Sequence, residues 1–130
     1  MCCRSARLQA AGLDLQCSGD IGCLIMFNPA PYIDHTLLQA DVTPEQIAVL
    51  CEEAVEYGFA SVCVPPRYVR QAADALYGSE VRAGTVIGFP LGYETSRIKA
   101  AQAAYAVDCG AEELDMVIPL GAARIGNFAE

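Results

Sequence analysis

A carboxylate in the middle of an apolar run is the first feature of this sequence that suggests chemistry. Asp115 lies within residues 113–119, whose other central residues are apolar and typical of a short β-strand. Aspartate is depleted in strands, and burying an ionised carboxylate without a partner is costly. We therefore predict that Asp115 handles protons at the mouth of a pocket. The alternative is a solvated aspartate at the end of a strand.

Three other side chains near the ends of predicted strands are candidates for a site. Asp34 could orient a partner, Thr36 could contribute a hydroxyl, and Cys63 could line a pocket or react. Each also has an ordinary explanation, since acids occur in turns, Thr in strands and free Cys in apolar cores. His35 is adjacent to Asp34 but falls on the opposite face of a strand, so we predict a structural role for it.

Lys99 is the only lysine, and a lysine could form an imine with a carbonyl substrate. It stands between Arg97 and Gln102 in a predicted helix. We predict that it lies on the solvated surface of that helix. The glycine-containing segment 88–92 matches no phosphate-binding signature.

Composition limits the classes of protein to which the chain can belong. Its 130 residues are 54% hydrophobic, which predicts one packed domain. A net charge of −8 with only eight basic residues argues against binding nucleic acid or an anionic membrane. Phosphorylated metabolites remain suitable ligands, because backbone amides can hold a phosphate. The seven cysteines include no C-x-x-C pair, so we predict free thiols, no zinc site and a cytoplasmic location.

Strand and helix signals alternate after residue 31, which predicts a parallel sheet of the α/β class. Thr43 and Pro44 are typical of a helix start, and Gly58 is typical of a helix end. The predicted strands are 32–38, 60–64, 81–87 and 113–118, and the predicted helices are 44–57, 69–76 and 96–108. A further helix is expected to start within 122–130.

Alternation along the strands predicts which side chains share a face. Val62 and Val64 oppose Ser61 and Cys63, and Leu114 and Met116 oppose Glu113 and Asp115. We expect the apolar face to pack against helices and the other to line the interior of a barrel. For the helices, the apolar residues predicted to face inward are Ile47, Leu50, Cys51, Ala54, Val55, Val69, Ala72, Ala73, Leu76, Ile98, Ala101, Ala104 and Tyr105.

Residues 1–30 do not share this pattern. They show no sustained period and hold four of the seven cysteines. We predict an irregular leader over 1–30, either disordered or preceding a true start at Met26, and a half-barrel domain over 31–130.

Four blocks of sequence closely resemble the deoxyribose-phosphate aldolase family. They are YIDHTLL at 32–38, CEEAVEYGFASVCV at 51–64, TVIGFPLG at 85–92 and GAEELDMVI at 110–118. The resemblance implies a class I aldolase of the (β/α)8 TIM-barrel family, without metal or other cofactor. Such enzymes cleave 2-deoxy-D-ribose 5-phosphate to glyceraldehyde 3-phosphate and acetaldehyde through a lysine Schiff base. It implies a proton relay at Asp115 and pocket positions at Asp34, Thr36, Leu38, Cys63, Val86 and Phe89.

The resemblance covers only the N-terminal half of that barrel. The imine-forming lysine, its helper and the phosphate-binding loops of the family lie on later strands, and Lys99 matches neither lysine. We therefore expect a truncated half barrel of about four parallel strands and three helices, inactive alone. Its exposed edges are expected to promote homo-oligomers or aggregation. Two alternatives remain open: a metal-assisted barrel enzyme using Asp34, His35 and Asp115, and a non-catalytic half-barrel assembly or binding module.

Overall fold

The computed structural model describes residues 9–10, 13–16 and 24–127. The described part of the leader contains three short antiparallel strands, β1 (Gln9–Ala10), β2 (Leu13–Gln16) and β3 (Leu24–Phe27), paired in that order. No strand was predicted in this segment. Strands of two to four residues are too short to produce a recognisable period, and a short apolar run fits either a strand or a helix. The rest of the leader and the proposed start at Met26 are not tested by these strands.

A second sheet contains four parallel strands in the order in which they occur along the chain. They are β4 (Asp34–Thr36), β5 (Ser61–Val64), β6 (Arg82–Ile87) and β7 (Glu113–Met116). The predicted side-by-side parallel arrangement is confirmed. Among the described residues, β4 and β7 are the edges of this sheet.

Helices connect these strands, and local sequence explains where the first helix begins and ends. The α-helices are α1 (Pro44–Tyr57), α2 (Val69–Ala75), α3 (Ser96–Asp108) and α4 (Leu120–Arg124), and 3₁₀ turns span Ala30–Tyr32 and Pro66–Tyr68. Thr43 and Gln46 form a reciprocal capping box at the start of α1. Gly58 ends α1 in the left-handed conformation, with φ of 69°. No helix within the described ranges is long and apolar enough to cross a membrane.

The apolar core lies between α1, α2 and one face of the parallel sheet. Val62, Val64 and Ile87 are completely buried there. The core residues contributed by α1, by α2 and by the position after α2 are Ile47, Leu50, Cys51, Ala54, Val69, Ala72 and Leu76, as predicted, with Ala73 partly buried beside them. Val55 was predicted to join them but is 48% exposed, because it lies at the margin of the apolar face of α1.

The predicted inward face of α3 is wrong. Ile98 and Tyr105 are exposed, and the buried residues of this helix are Lys99 and Ala106. Ala101 and Ala104 are exposed as well, whereas Ala103 packs against the core. Alanines occur all around α3, so its sequence defines no single apolar stripe and the tertiary contacts decide its rotation.

Candidate functional site

The face of the parallel sheet opposite the core lines an open cavity of about 470 Å³. Parallel pairing places Thr36 beside Cys63, Cys63 beside Gly84, and Gly84 beside Glu113. Registered residues of parallel strands point to the same face, so these side chains share it. The cavity is lined by Asp34, Thr36, Leu38, Ser61, Cys63, Gly84, Thr85, Glu113, Leu114 and Asp115.

Asp34 is held at this cavity by Ser61, a residue that no sequence motif marks as functional. The hydroxyl of Ser61 donates a hydrogen bond of 2.6 Å to Asp34 Oδ1. Ser61 is 1% exposed, whereas Asp34 is exposed. Thr36 Oγ1 donates 2.8 Å to the backbone oxygen of Asp34, which positions the Thr36 side chain. The only sequence signal for Ser61 was its period-two relation to Cys63.

Cys63 is a buried thiol surrounded by carboxylates. Burial, together with smaller contributions from the negative charges of Asp115, Asp34 and Glu113, raises the pKa of Cys63 to about 11. The thiol therefore remains protonated near neutral pH, which argues against a nucleophilic role. Since their charges act on the Cys63 thiol, the three carboxylates lie within the range of electrostatic interaction with it.

Asp115 and Glu113 lie on the same face of β7 but have different partners. Glu113 Oε1 forms an ion pair of 3.0 Å with Arg82 on the neighbouring strand. Asp115 is exposed, and within the described residues no hydrogen bond or ion pair occupies its carboxylate. Its carboxylate therefore faces the cavity without a protein partner among the described residues.

The remaining predicted pocket residues line a smaller neighbouring cavity of about 210 Å³. Leu38, Val86 and Phe89 contribute to it, and Leu38 also lines the larger cavity. Val86 is paired in register with Asp115, so the two cavities meet near this strand pair. The structure thus brings all seven predicted site residues to two adjoining cavities. Five line the larger cavity and three line the smaller one, because Leu38 lines both.

His35 belongs to the opposite face, as the strand period predicts. Its Nε2 lies 2.8 Å from Glu53 Oε2 on α1, and its ring lies 4.8 Å from that of Phe59. These contacts confirm a structural role. His35 cannot converge with Asp34 and Asp115 on one ion, and the described part of the chain has no cluster of three or more metal-ligating side chains. The geometry therefore does not support the metal-assisted alternative.

Lys99 occupies a different environment from the solvated helix surface that was predicted, and that prediction is wrong. Its side chain is 5% exposed, and Nζ donates hydrogen bonds of 2.7 Å to Gly92 O and 2.8 Å to Val117 O. The two carbonyl groups lie outside α3, one in the loop before the helix and one after β7, so the sequence of the helix itself contains no signal for them. Lys99 lines neither of the two cavities described above.

Comparison with known proteins agrees with this geometry. Residues 30–128 match the DeoC/LacD family of aldolases. Over 103 residues the chain is 59% identical to a deoxyribose-phosphate aldolase of Syntrophotalea carbinolica, covering 79% of this chain and 47% of that protein.

Solved structures of aldolases also superpose on this chain. The aldolase QR15 superposes with a TM-score of 0.74 at 33% identity, covering 80% of this chain and 46% of that one. The tetrameric deoxyribose-phosphate aldolase of Aeropyrum pernix gives 0.67 at 36% identity, covering 71% and 39%. The chain thus spans about half the length of the relatives that it matches.

Proposed function

We propose that this chain, which belongs to the DeoC/LacD aldolase family, carries the proton-relay part of a deoxyribose-phosphate aldolase site. The four parallel strands and their helices correspond to one half of the family's barrel. In the whole protein the reaction is the reversible cleavage of 2-deoxy-D-ribose 5-phosphate to glyceraldehyde 3-phosphate and acetaldehyde. The observation that carries the proposal is the unpaired carboxylate of Asp115 on the cavity face, beside Cys63.

Retro-aldol cleavage through an imine needs two proton transfers that a carboxylate can perform. One proton leaves the hydroxyl of the carbon that becomes the new aldehyde, while the bonding electrons pass to the imine and form an enamine. A second proton is then added to the enamine carbon before water releases acetaldehyde. Asp115 is assigned to these transfers, directly or through one water molecule, because it is exposed to the cavity and has no competing partner.

The other predicted residues shape the pocket around this acid. Ser61 keeps Asp34 turned toward the cavity, and Thr36 adds a hydroxyl beside it. Cys63 lines the larger cavity as a neutral thiol, since its pKa is about 11. Leu38, Val86 and Phe89 supply apolar surface next to the polar cavity.

The lysine that forms the imine is assigned to a position outside residues 1–130. Lys99 is the only lysine among them. Its ammonium group is buried and donates to two carbonyl oxygens away from the cavity that holds Asp115. An imine-forming lysine must instead present a neutral amine to the substrate carbonyl. We therefore propose that residues 1–130 alone have no aldolase activity.

Several wider features accompany this proposal. We propose that the protein acts in the cytoplasm, needs no metal or other cofactor, and binds neither nucleic acid nor membrane. Its partners are the phosphorylated sugar and further copies of the chain, since the edges formed by β4 and β7 can pair with other strands. A non-catalytic half barrel remains the alternative if no activity can be restored.

A fusion protein tests the assignment directly. Residues 1–130 are joined to the part of the Syntrophotalea carbinolica aldolase that this chain does not cover, and retro-aldol turnover is measured. We expect the fusion to be active and Asp115→Asn to lower kcat by about 10²–10⁴-fold. Asp74→Asn, an exposed change on α2, is the matched control and should leave turnover unchanged.

Two results contradict the proposal. One is a folded fusion in which Asp115→Asn retains full turnover. The other is turnover by residues 1–130 alone, with borohydride trapping the substrate on Lys99. A folded fusion without any turnover would instead favour the non-catalytic half barrel.

A further inference from the structure

Lys99 is a buried cation that the proposed reaction does not use. Its Nζ donates to Gly92 O, in the segment that follows β6, and to Val117 O, directly after β7. Burying a lysine is costly unless its donors are paired, and these two bonds occupy two of the three N–H donors of the ammonium group. Because the acceptors belong to different segments, the ammonium group links the two.

Each linked segment carries a residue of the candidate site. The segment after β6 contains Phe89 of the smaller cavity and is closed by a hydrogen bond of 2.8 Å from Gly92 N to Gly88 O. Val117 lies two residues beyond Asp115, and its N–H donates 3.0 Å to Ile87 O. The link therefore connects the backbone that carries the apolar wall with the backbone that carries the acid.

Two glycines make room for this link. A Cβ on Gly88 would lie 2.9 Å from Lys99 Cε, so a side chain there would displace the lysine stem. A Cβ on Gly92 would lie 2.1 Å from Ile118 O, so only glycine allows this loop to lie against the end of β7. The close approach brings Gly92 O within reach of the same ammonium group as Val117 O.

We propose that Lys99 is a positioning residue, whose ammonium group fastens the 88–92 loop to the end of β7 and so sets Phe89 relative to Asp115. The inference depends on the proposed function only for the importance of those two site residues. A methionine at position 99 has a similar length and apolar stem but cannot donate a hydrogen bond. Lys99→Met therefore removes the hydrogen bonds of the ammonium group while keeping most of the volume that the side chain fills.

Site-resolved amide hydrogen exchange on the 130-residue chain provides the test. For Lys99→Met we expect exchange at Gly92 and Val117 to accelerate at least about tenfold relative to the amides of β5, which lie in the core. Arg97→Met removes the same charge from an exposed position on the same helix and should change neither amide. Lys99→Arg retains charge and donors and should restore part of the protection.

Loss of protection to the same extent at every amide would overturn the proposal, because it would show only a general stabilising role. Unchanged exchange at Gly92 and Val117 would overturn it too. If Lys99→Met does not fold, amine labelling of Lys99 in the unaltered chain tests the proposal instead. Lys99 should then react at least about tenfold more slowly in the folded chain than in urea, and equal rates would refute the link. None of these measurements requires enzymatic activity. The positioning role of Lys99 can therefore be refuted without refuting the proposed reaction.

Discussion

The two faces of the parallel sheet are built from alternate residues of the same strands, yet their environments differ completely. On the helix-covered face Val62, Val64 and Ile87 are 0% exposed and touch other apolar side chains. On the cavity face Asp34, Thr36 and Asp115 are exposed and surround a buried thiol. The strand period thus separates residues that stabilise the fold from residues available for chemistry.

The contrast is weakest at β7, one of the two edge strands of the described sheet. The two-residue strand period assigns Leu114 and Met116 to the helix-covered face. Their side chains are nevertheless 38% and 46% exposed. No helix within the described residues covers them as α1 and α2 cover β5 and β6. The strand period therefore determines the face on which a side chain lies. Burial of that side chain also requires a helix that packs over it.

The largest expected effect comes from truncating the covered face. Ile87→Ala should lower the free energy of unfolding by about 2–5 kcal/mol, because it removes buried methyl groups and leaves a cavity. Asp115→Ala, on the cavity face of the adjacent strand, should change it by no more than about 0.5 kcal/mol. Urea unfolding of both variants measures the difference. Similar losses in the two variants would show that the cavity face also carries stability.

A second prediction concerns the rim, where the loop after β6 meets the end of β7. Gly92→Ala combines a left-handed φ of 67° with a Cβ placed 2.1 Å from Ile118 O, and should cost more than about 2 kcal/mol. Gly58→Ala is the matched control, with a similar φ of 69° and nothing within 4 Å of the added Cβ. It should cost only about 1–2 kcal/mol of strain. Equal costs in thermal unfolding would mean that the loop can move away from β7.

A smaller effect is expected from the hydrogen bond that orients Asp34. Ser61→Ala removes the donor 2.6 Å from Asp34 Oδ1 and should cost about 0.5–1.5 kcal/mol. The loss stays small because the exposed carboxylate of Asp34 can turn to water. Urea unfolding of Ser61→Ala in the Asp34→Ala background, which lacks the acceptor, checks the coupling. If the cost of Ser61→Ala is the same with and without Asp34, the bond is not its cause.

The smallest effect is electrostatic and confined to the cavity face. Carboxylates disfavour the thiolate, so Asp115→Asn should lower the pKa of Cys63 from about 11 by a fraction of a unit. The pH at which alkylation of Cys63 reaches half its maximal rate, followed by site-resolved mass spectrometry, should fall accordingly. Asp74→Asn on α2 should leave that profile in place. An unchanged profile in Asp115→Asn would place this carboxylate too far from the thiol to act on it.

The sequence by itself determined the order of strands and helices, their parallel arrangement and the face on which each strand residue lies. These features follow from local signals: the Thr43 cap, the Gly58 stop and the two-residue period of strands. These signals alone therefore place Asp115, Asp34, Thr36 and Cys63 on one surface. Resemblance to the aldolase family added Leu38, Val86 and Phe89, which no period identifies.

Only the tertiary structure decided which face of α3 is buried, which hydroxyl holds Asp34 and where Lys99 points. Alanines surround α3, so no stripe in its sequence distinguishes inside from outside. The acceptors of Lys99 lie 7 and 18 residues away along the chain, and two glycines must leave space for its stem. A buried ammonium depends on partners that only folding brings within hydrogen-bonding distance, and local sequence patterns do not record them.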